Sequence, residues 1–216
     1  MKQYQKVKDC YDKSANTYLD QFANELEHKH LDRLLLTTFA QEYGPTGPLL
    51  DLGCGPGQTT RFLHDQGLTN LIGIDLSENM IAVAQQAHPD LRFEVGNMMD
   101  LPYADQSIGS AISFYGTVHF DYQELELVFN EIHRILKPGG GWLFSIHVGD
   151  DTLHTLDFLG HPVDITFRFF DPDRIRGMLL YLGWTIRDAI IRFPYEPVEA
   201  EHKRGYFWAT KRSHEE

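Results

Sequence analysis

The chain reads as an α/β protein built on a seven-stranded, mostly parallel sheet with helices on both faces. Three observations predict this. Short apolar segments alternate with helix-period segments from residue 49 to residue 182, the rhythm of crossover units in a parallel sheet. The first apolar run, Leu49 to Leu52, empties into a glycine-rich turn that opens a helix. Near the end, two strand-like segments follow each other with no helix-length pattern between them, so they pair antiparallel.

Taken in order, residues 1–43 are helical, with Tyr4, Val7, Tyr11 and Ala15, then Leu31, Leu34, Leu35 and Phe39, on the helix period. A polar segment with two aromatics, Tyr11 to Tyr18, lies between them. This region is expected to form a helical lid rather than a separate domain. Gly44-Pro45-Thr46-Gly47-Pro48 breaks the pattern and hands over to the sheet. Thr59 to Gln66 is a helix ended by Gly67, and Leu71 to Asp75 is a second strand. Ser77 caps a helix reaching about Ala87, Arg92 to Val95 alternates as a third strand, and Gly109 to Tyr115 makes a fourth. Asp121 followed by Glu124 has the form of a capping box for a helix to Leu136. Lys137-Pro138-Gly139-Gly140-Gly141 stops that helix before strand Trp142 to His147. Residues 149–170 look irregular and serve as a substrate-pocket insertion. Asp171-Pro172 starts a helix to Leu182, and Trp184 to Phe193 and Tyr206 to Lys211 are the closing strands. The tail from Arg212 to Glu216 is expected to fray.

At 216 residues the chain fits one domain, 1–216, and can bury a sizeable core. With 42% hydrophobic residues it is ordinary for a soluble protein, and no apolar run approaches the roughly 18 residues of a membrane helix. A formal net charge of −12 disfavours a nucleic-acid phosphate surface. Cys10 and Cys54 make neither a disulfide framework nor a metal quartet. No apolar segment follows the lysines of the N-terminus, so a secretory signal is not expected. These features point to a cytoplasmic protein acting on small molecules, as a monomer or homodimer, without nucleic-acid or membrane partners.

The glycine loop carries the most chemistry. Gly53, Gly55 and Gly57, with Cys54 inside the loop, let backbone turn tightly and approach a bound molecule, and the helix just beyond offers free N–H groups. The dinucleotide fingerprint needs its third glycine or alanine three places after the second. From Gly53 that place holds Gln58, and from Gly55 it holds Thr60, so a nicotinamide dinucleotide is disfavoured. No Gly-Lys-Ser/Thr is present for a phosphate-cradling loop. Asp75 stands 18 residues past Gly57 at the tip of the second strand, where an acid accepts both ribose hydroxyls and repels a 2′-phosphate.

Leu49 to Gly57, with its Asp-x-Gly-x-Gly-x-Gly spacing, resembles the cofactor loop of class I S-adenosylmethionine-dependent methyltransferases. Ile72 to Ser77 with Met80, Gly96 to Tyr103, and Glu131 to Gly140 resemble later segments of that family in the same order. Tyr11-Asp12-Lys13-x-Ala15-x-x-Tyr18 is similar to the opening of its small-molecule branch. The resemblance implies a Rossmann-like fold, S-adenosylmethionine as cofactor, and methyl transfer to a small organic acceptor. A non-catalytic S-adenosylmethionine-binding or regulatory protein is the alternative. It implies cofactor contacts from Tyr11, Tyr18, Asp51, Gly53, Cys54, Gly55, Gly57, Asp75, Leu76, Met80, Asn97, Met98, Phe114 and Tyr115. Asp51 would face the methionine end, and Leu76, Met80 and Met98 the adenine. Two departures stand out. Asn97 replaces the usual aspartate, although its carbonyl can still accept from the adenine amino group. Gly109 replaces an acid at the start of the fourth strand, which reads as the loss of a local contact.

Direct displacement on a sulfonium carbon demands no signature nucleophile, because the cofactor supplies the electrophile. Orientation, exclusion of water and proton removal fall to the protein. His119 and His147, near the ends of the fourth and fifth strands, are the candidate bases. Phe114 and Tyr115 offer aromatic faces to the cationic sulfur. His147, Phe167, Phe169 and Arg204 are candidate substrate contacts, although Arg204 reads more readily as part of a solvated loop. His147, Asp150, Asp151 and His154 match no standard metal spacing, and no metal is expected.

Overall fold

A computed structural model describes residues 2–213. The last three residues of the tail, 214–216, lie outside the described residues. Helices α1 (Lys2–Phe22) and α2 (His30–Tyr43) precede the alternating core. The core then runs β1 (Leu49–Leu52), α3 (Gln58–Asp65), β2 (Leu71–Asp75), α4 (Glu78–Ala87), β3 (Phe93–Val95), β4 (Ile108–Phe114), α5 (Tyr122–Ile135) and β5 (Leu136–His147). It closes with β6 (Thr152–Phe158), β7 (His161–Arg168), α6 (Pro172–Tyr181), β8 (Trp184–Arg192) and β9 (Arg204–Lys211).

Seven strands form one sheet in the order β3-β2-β1-β4-β5-β9-β8. The pairs β1–β2, β1–β4, β2–β3 and β4–β5 are parallel, and β9 is antiparallel to both β5 and β8. The strands lie fully buried where the sheet is central, with every residue of β1 inside. Helices on both sides need apolar contact, which explains why β1 and β4 are buried along their length and do not alternate strictly between apolar and polar residues. One layer packs Phe129 and Ile132 of α5 and Ile175 and Leu179 of α6 against Trp142, Phe144 and Phe207. The opposite layer packs Leu36, Phe39 and Tyr43 of α2 against Leu49, Leu143 and Trp208. Local signals hold: Asp121 and Glu124 form the expected capping box, and Asp171 caps α6 with Pro172 at its start.

Three elements differ from the sequence expectation. The lid, expected to be helical over 1–43, is two helices with a break over residues 23–29, and α1 runs straight through the polar segment Tyr11 to Tyr18. Residues 149–170, expected to be irregular, contain the hairpin β6–β7, which docks on α1 through Lys6–Asp164 at 2.5 Å and Thr17–His161 at 3.0 Å. The Lys137–Gly141 turn is drawn into β5, with a register shift opposite Ile108 and Ser110. Gly109 is also more than a lost contact. A Cβ there would lie 2.7 Å from Thr46 Oγ1 and 2.8 Å from Gly47 N, so the incoming loop fills the side chain's place.

The order of strands reverses between β1 and β4. In an open α/β sheet the crevice at that switch point, beyond the carboxyl ends of the strands, is where a ligand binds.

Candidate functional site

Two adjoining cavities of about 120 and 50 Å³ open at the carboxyl ends of β1 and β4. Tyr18, Gly53, Gly55, Phe114 and Tyr115 line both, so these residues mark the junction. The larger lobe is mostly apolar and is walled by Leu76, Met80 and Met98, with Asp75, Asn97, His119 and Glu124 among its polar residues. The smaller lobe is acidic, with Glu25, Asp32 and Asp51 facing Lys29 and Gln58.

Gly53 leaves β1 with φ of 75°, and a Cβ on it would come within 2.9 Å of the Gly116 backbone. Only glycine fits this turn. Asp75, at the tip of β2, ties the loop down: its carboxylate accepts from Gly55 N and from Ser77 N, both at 2.9 Å. Each oxygen keeps a further acceptor position. Burial raises the Asp75 pKa against the pull of these amides. Asp51 is 2% exposed and accepts from Thr60 Oγ1 at 2.6 Å, while burial pushes its pKa up to about 7. Tyr115 holds a left-handed φ of 58° at the end of β4, an uncommon conformation for a side chain of this size.

Of the sequence-predicted cofactor residues, Tyr11, Tyr18, Gly53, Gly55, Asp75, Leu76, Met80, Asn97, Met98, Phe114 and Tyr115 line the larger lobe. Asp51 and Cys54 line the smaller one. Gly57 lines neither. It caps α3 with φ of 88°, and a Cβ on it would meet the Phe93 ring at 2.7 Å, so its glycine serves packing. Asn97 turns its carbonyl onto Met99 N at 3.0 Å, leaving one lone pair for a ligand rather than the free carbonyl expected.

The expected bases fare differently. His119 lines the larger lobe, and its Nδ1 stands 2.8 Å from the Thr166 carbonyl. That nitrogen must carry the proton, so Nε2 accepts from the Tyr11 hydroxyl at 2.8 Å. The Tyr11 hydroxyl therefore occupies the one acceptor nitrogen of the imidazole. Burial pushes the His119 pKa down to about 4. His147 lines neither lobe: it stacks on Tyr115 at 5.0 Å, and burial lowers its pKa to about 3. Both histidines are neutral near pH 7. A histidine whose folded pKa lies below its unfolded value loses stability for the fold as pH falls from 6.5 through the folded pKa. Acidification from about pH 7.5 to about pH 5 is therefore expected to lower Tm, and a His119→Gln variant, which cannot charge, should show a shallower fall in a pH series of melting curves.

The other substrate candidates lie outside both lobes. Phe167 packs on the His119 ring at 4.7 Å and Phe169 on the His202 ring at 4.4 Å, and neither lines a lobe. Arg204 is not on a solvated loop. It is 4% exposed, its guanidinium donates to the carbonyls of Ala200 and His202, and it lies 3.8 Å from Glu199. Of the four residues weighed for a metal, His154 is paired instead with Asp164 at 2.8 Å, and among the described residues no three His, Cys, Asp or Glu side chains converge as a metal site.

Sequence reasoning missed the lid acids. Asp32 lies on the buried stripe of α2 with Leu35, Leu36, Phe39 and Tyr43, and an acid on an apolar stripe was the available signal. Its Oδ1 accepts from Tyr206 Oη at 2.6 Å and from Arg192 at 3.2 Å, while Oδ2 has no partner. Gln58 Oε1 is likewise unpartnered.

In strand order, glycine turn and the acid at the tip of β2, the chain shares its fold with solved S-adenosylmethionine-dependent methyltransferases. Residues 49–140, from β1 into β5, match a protein family described as a methyltransferase domain. Among solved structures, an S-adenosylmethionine-dependent methyltransferase from Methanosarcina mazei superposes with a TM-score of 0.69 at 18% identity, covering 77% of this chain and 92% of that one. A [4+2]-cyclase shares the fold with a TM-score of 0.64 at 19% identity, covering 84% of this chain and 82% of the cyclase. Curated relatives include a demethylmenaquinone methyltransferase of Chlorobaculum parvum, 30% identical over 62% of this chain and 56% of the relative. A malonyl-[acyl-carrier protein] O-methyltransferase of Pectobacterium atrosepticum is 31% identical over 76% of this chain and 61% of the relative. The chain spans about half the length of the curated relatives it matches. Among the described residues no helix is long and apolar enough to cross a membrane.

Proposed function

We propose that the chain is an S-adenosylmethionine-dependent methyltransferase acting on a small organic molecule as one domain, 1–216, with α1, α2 and the β6–β7 hairpin as its cover. The observation that carries this is the two-lobed cavity: an apolar lobe with Asp75 at its edge, joined through an aromatic junction to a polar lobe rich in acids. The apolar lobe suits an adenosine, with Leu76, Met80 and Met98 against the base and the free acceptor positions of Asp75 toward the ribose. The unpartnered Gln58 Oε1 suits an ammonium group, and Lys29 a carboxylate, as an amino-acid end requires. A dinucleotide fits poorly, because its pyrophosphate would face Glu25, Asp32 and Asp51 against one lysine. When bound, S-adenosylmethionine supplies a methyl group activated on a sulfonium.

The protein's own work is then orientation and exclusion of water. Tyr18, Phe114 and Tyr115 bring aromatic faces to the junction, where a cation is stabilised by the ring quadrupole. Phe158 of the hairpin packs on Tyr11 at 5.8 Å and on Tyr18 at 6.4 Å, which ties the two cover elements together above the site. A small organic acceptor group agrees with the names of the curated relatives, one a demethylmenaquinone methyltransferase and another a malonyl-[acyl-carrier protein] O-methyltransferase. The test is incubation with S-adenosylmethionine and a small-molecule extract, followed by mass spectrometry. Release of S-adenosylhomocysteine together with a methylated product is expected. Tight cofactor binding without turnover across metabolite pools would instead favour a sensor, or another chemistry on the same fold.

A further inference from the structure

A chain of hydrogen bonds leaves the junction at the Tyr115 hydroxyl. Tyr206 Oη lies 2.6 Å from Asp32 Oδ1, 2.7 and 3.0 Å from Arg192 Nη2 and Nε, and 3.1 Å from Tyr115 Oη. Arginine can only donate, and a carboxylate can only accept. The single Tyr206 proton therefore goes to Asp32, and the proton between the two phenols belongs to Tyr115. That leaves the Tyr115 oxygen as an acceptor, and no described residue donates to it. Tyr115 lines both lobes where they meet, while Tyr206 and Asp32 are each 1% exposed.

We propose, on the methyltransferase reading above, that Tyr115, Tyr206 and Asp32 form a proton-exit relay, and that the acceptor molecule is therefore protic, presenting an O–H, N–H or S–H group to Tyr115. The acceptor's X–H bond breaks as Tyr115 Oη takes the proton. Tyr115 passes its own proton to Tyr206 Oη, and Tyr206 passes its own to Asp32 Oδ1. The electron pair left on X is the nucleophile, and the proton ends on a neutral carboxylic acid. Tyr115 is the group that touches the acceptor, and Tyr206 and Asp32 act through it.

The surroundings of Asp32 permit that end state. From its own helix end comes Lys29, from β8 Arg192, from β9 Tyr206 and Arg204, and from the loop before β9 Glu199. Arg192 also holds Glu199 through two bonds of 2.6 and 2.9 Å, so it keeps a counter-ion when Asp32 takes a proton. Burial raises the Asp32 pKa against the pull of Tyr206, Lys29 and Arg192, which makes this carboxylate a better proton sink than an exposed one. The Tyr11–His119 pair is a chain of the same kind, but Tyr11 lines only the larger lobe, away from the junction.

The test titrates the 13C-labelled Asp32 carboxyl by NMR in protein saturated with S-adenosylhomocysteine. Removing a hydrogen bond to a charged group by Tyr206→Phe is expected to move its midpoint up by about 1–2 units. Tyr115→Phe, which touches Asp32 only through Tyr206, should move it up by less. With phenols, primary amines and thiols as probes, methyl transfer should fall on the order of 10²-fold in Tyr206→Phe, with S-adenosylhomocysteine affinity unchanged. Their fully methylated ethers, tertiary amines and thioethers should receive no methyl. An Asp32 midpoint unmoved by Tyr115→Phe overturns the relay, and so does methylation of aprotic probes at rates comparable to protic ones. The titration decides alone where no probe is methylated. Failure to bind S-adenosylhomocysteine at all would sink the methyltransferase reading, which is a separate outcome.

Discussion

Asp75→Ala is expected to weaken S-adenosylhomocysteine binding by at least roughly 10²-fold, with the fold intact in circular dichroism. The carboxylate does two jobs from one position. It accepts from Gly55 N and Ser77 N, which fixes the glycine turn and the start of α4, and its spare acceptor positions edge the apolar lobe. A hydrogen bond to a charged group contributes about 1.5–3 kcal/mol, so losing two to a ribose removes about 3 kcal/mol before any loosening of the loop. Asp75→Asn keeps the volume but places an NH2 where one backbone N–H needs an acceptor. Its affinity should fall as well, and calorimetry on both variants separates this from a pure packing role, in which asparagine would bind nearly as well as the parent.

Arg192→Met is expected to cost about 3–5 kcal/mol of stability, because it strands two buried carboxylates. The side chains of Glu199 and Asp32 are 2% and 1% exposed, and Arg192 bonds to both. Burial alone would raise the Glu199 pKa, yet the Arg192 bonds hold it below the ordinary value. A depressed carboxylate contributes stability above its unfolded pKa of about 4.5, lost as pH falls through the folded value. In the variant that sign reverses. Unpaired buried carboxylates have raised pKa values, so their protonation favours the fold, and the penalty shrinks as pH is lowered from about 7 to about 5. Melting curves should therefore converge on acidification. A penalty that stays constant with pH would show that packing of the guanidinium, and not its charge, is what matters.

The parallel core was legible because its strands are buried on both faces and punctuated by glycines and caps: Leu49 to Leu52 before Gly53, Asp121 with Glu124, Asp171 with Pro172. The hairpin β6–β7 was not. In β6 five of seven residues are exposed, and polar and apolar types do not alternate, so no period-2 signal survives; contacts to α1 hold it. The apolar lobe was legible through local spacing, since Asp75, Leu76, Met80, Asn97 and Met98 follow strand ends. The part Asp32 plays at the polar lobe was not, because Asp32 meets its partners Arg192 and Tyr206 only after folding, 160 and 174 residues away. His119 shows the same limit. Its place beside the site followed from the sequence, but the Tyr11 hydroxyl that occupies its free nitrogen comes from 108 residues away.

Isothermal titration with S-adenosylhomocysteine and, separately, with NAD tests the central claim most directly. S-adenosylhomocysteine is expected to bind with one-to-one stoichiometry and NAD to give no binding heat, since the acidic lobe repels a pyrophosphate. Binding of NAD with no binding of S-adenosylhomocysteine would contradict the account.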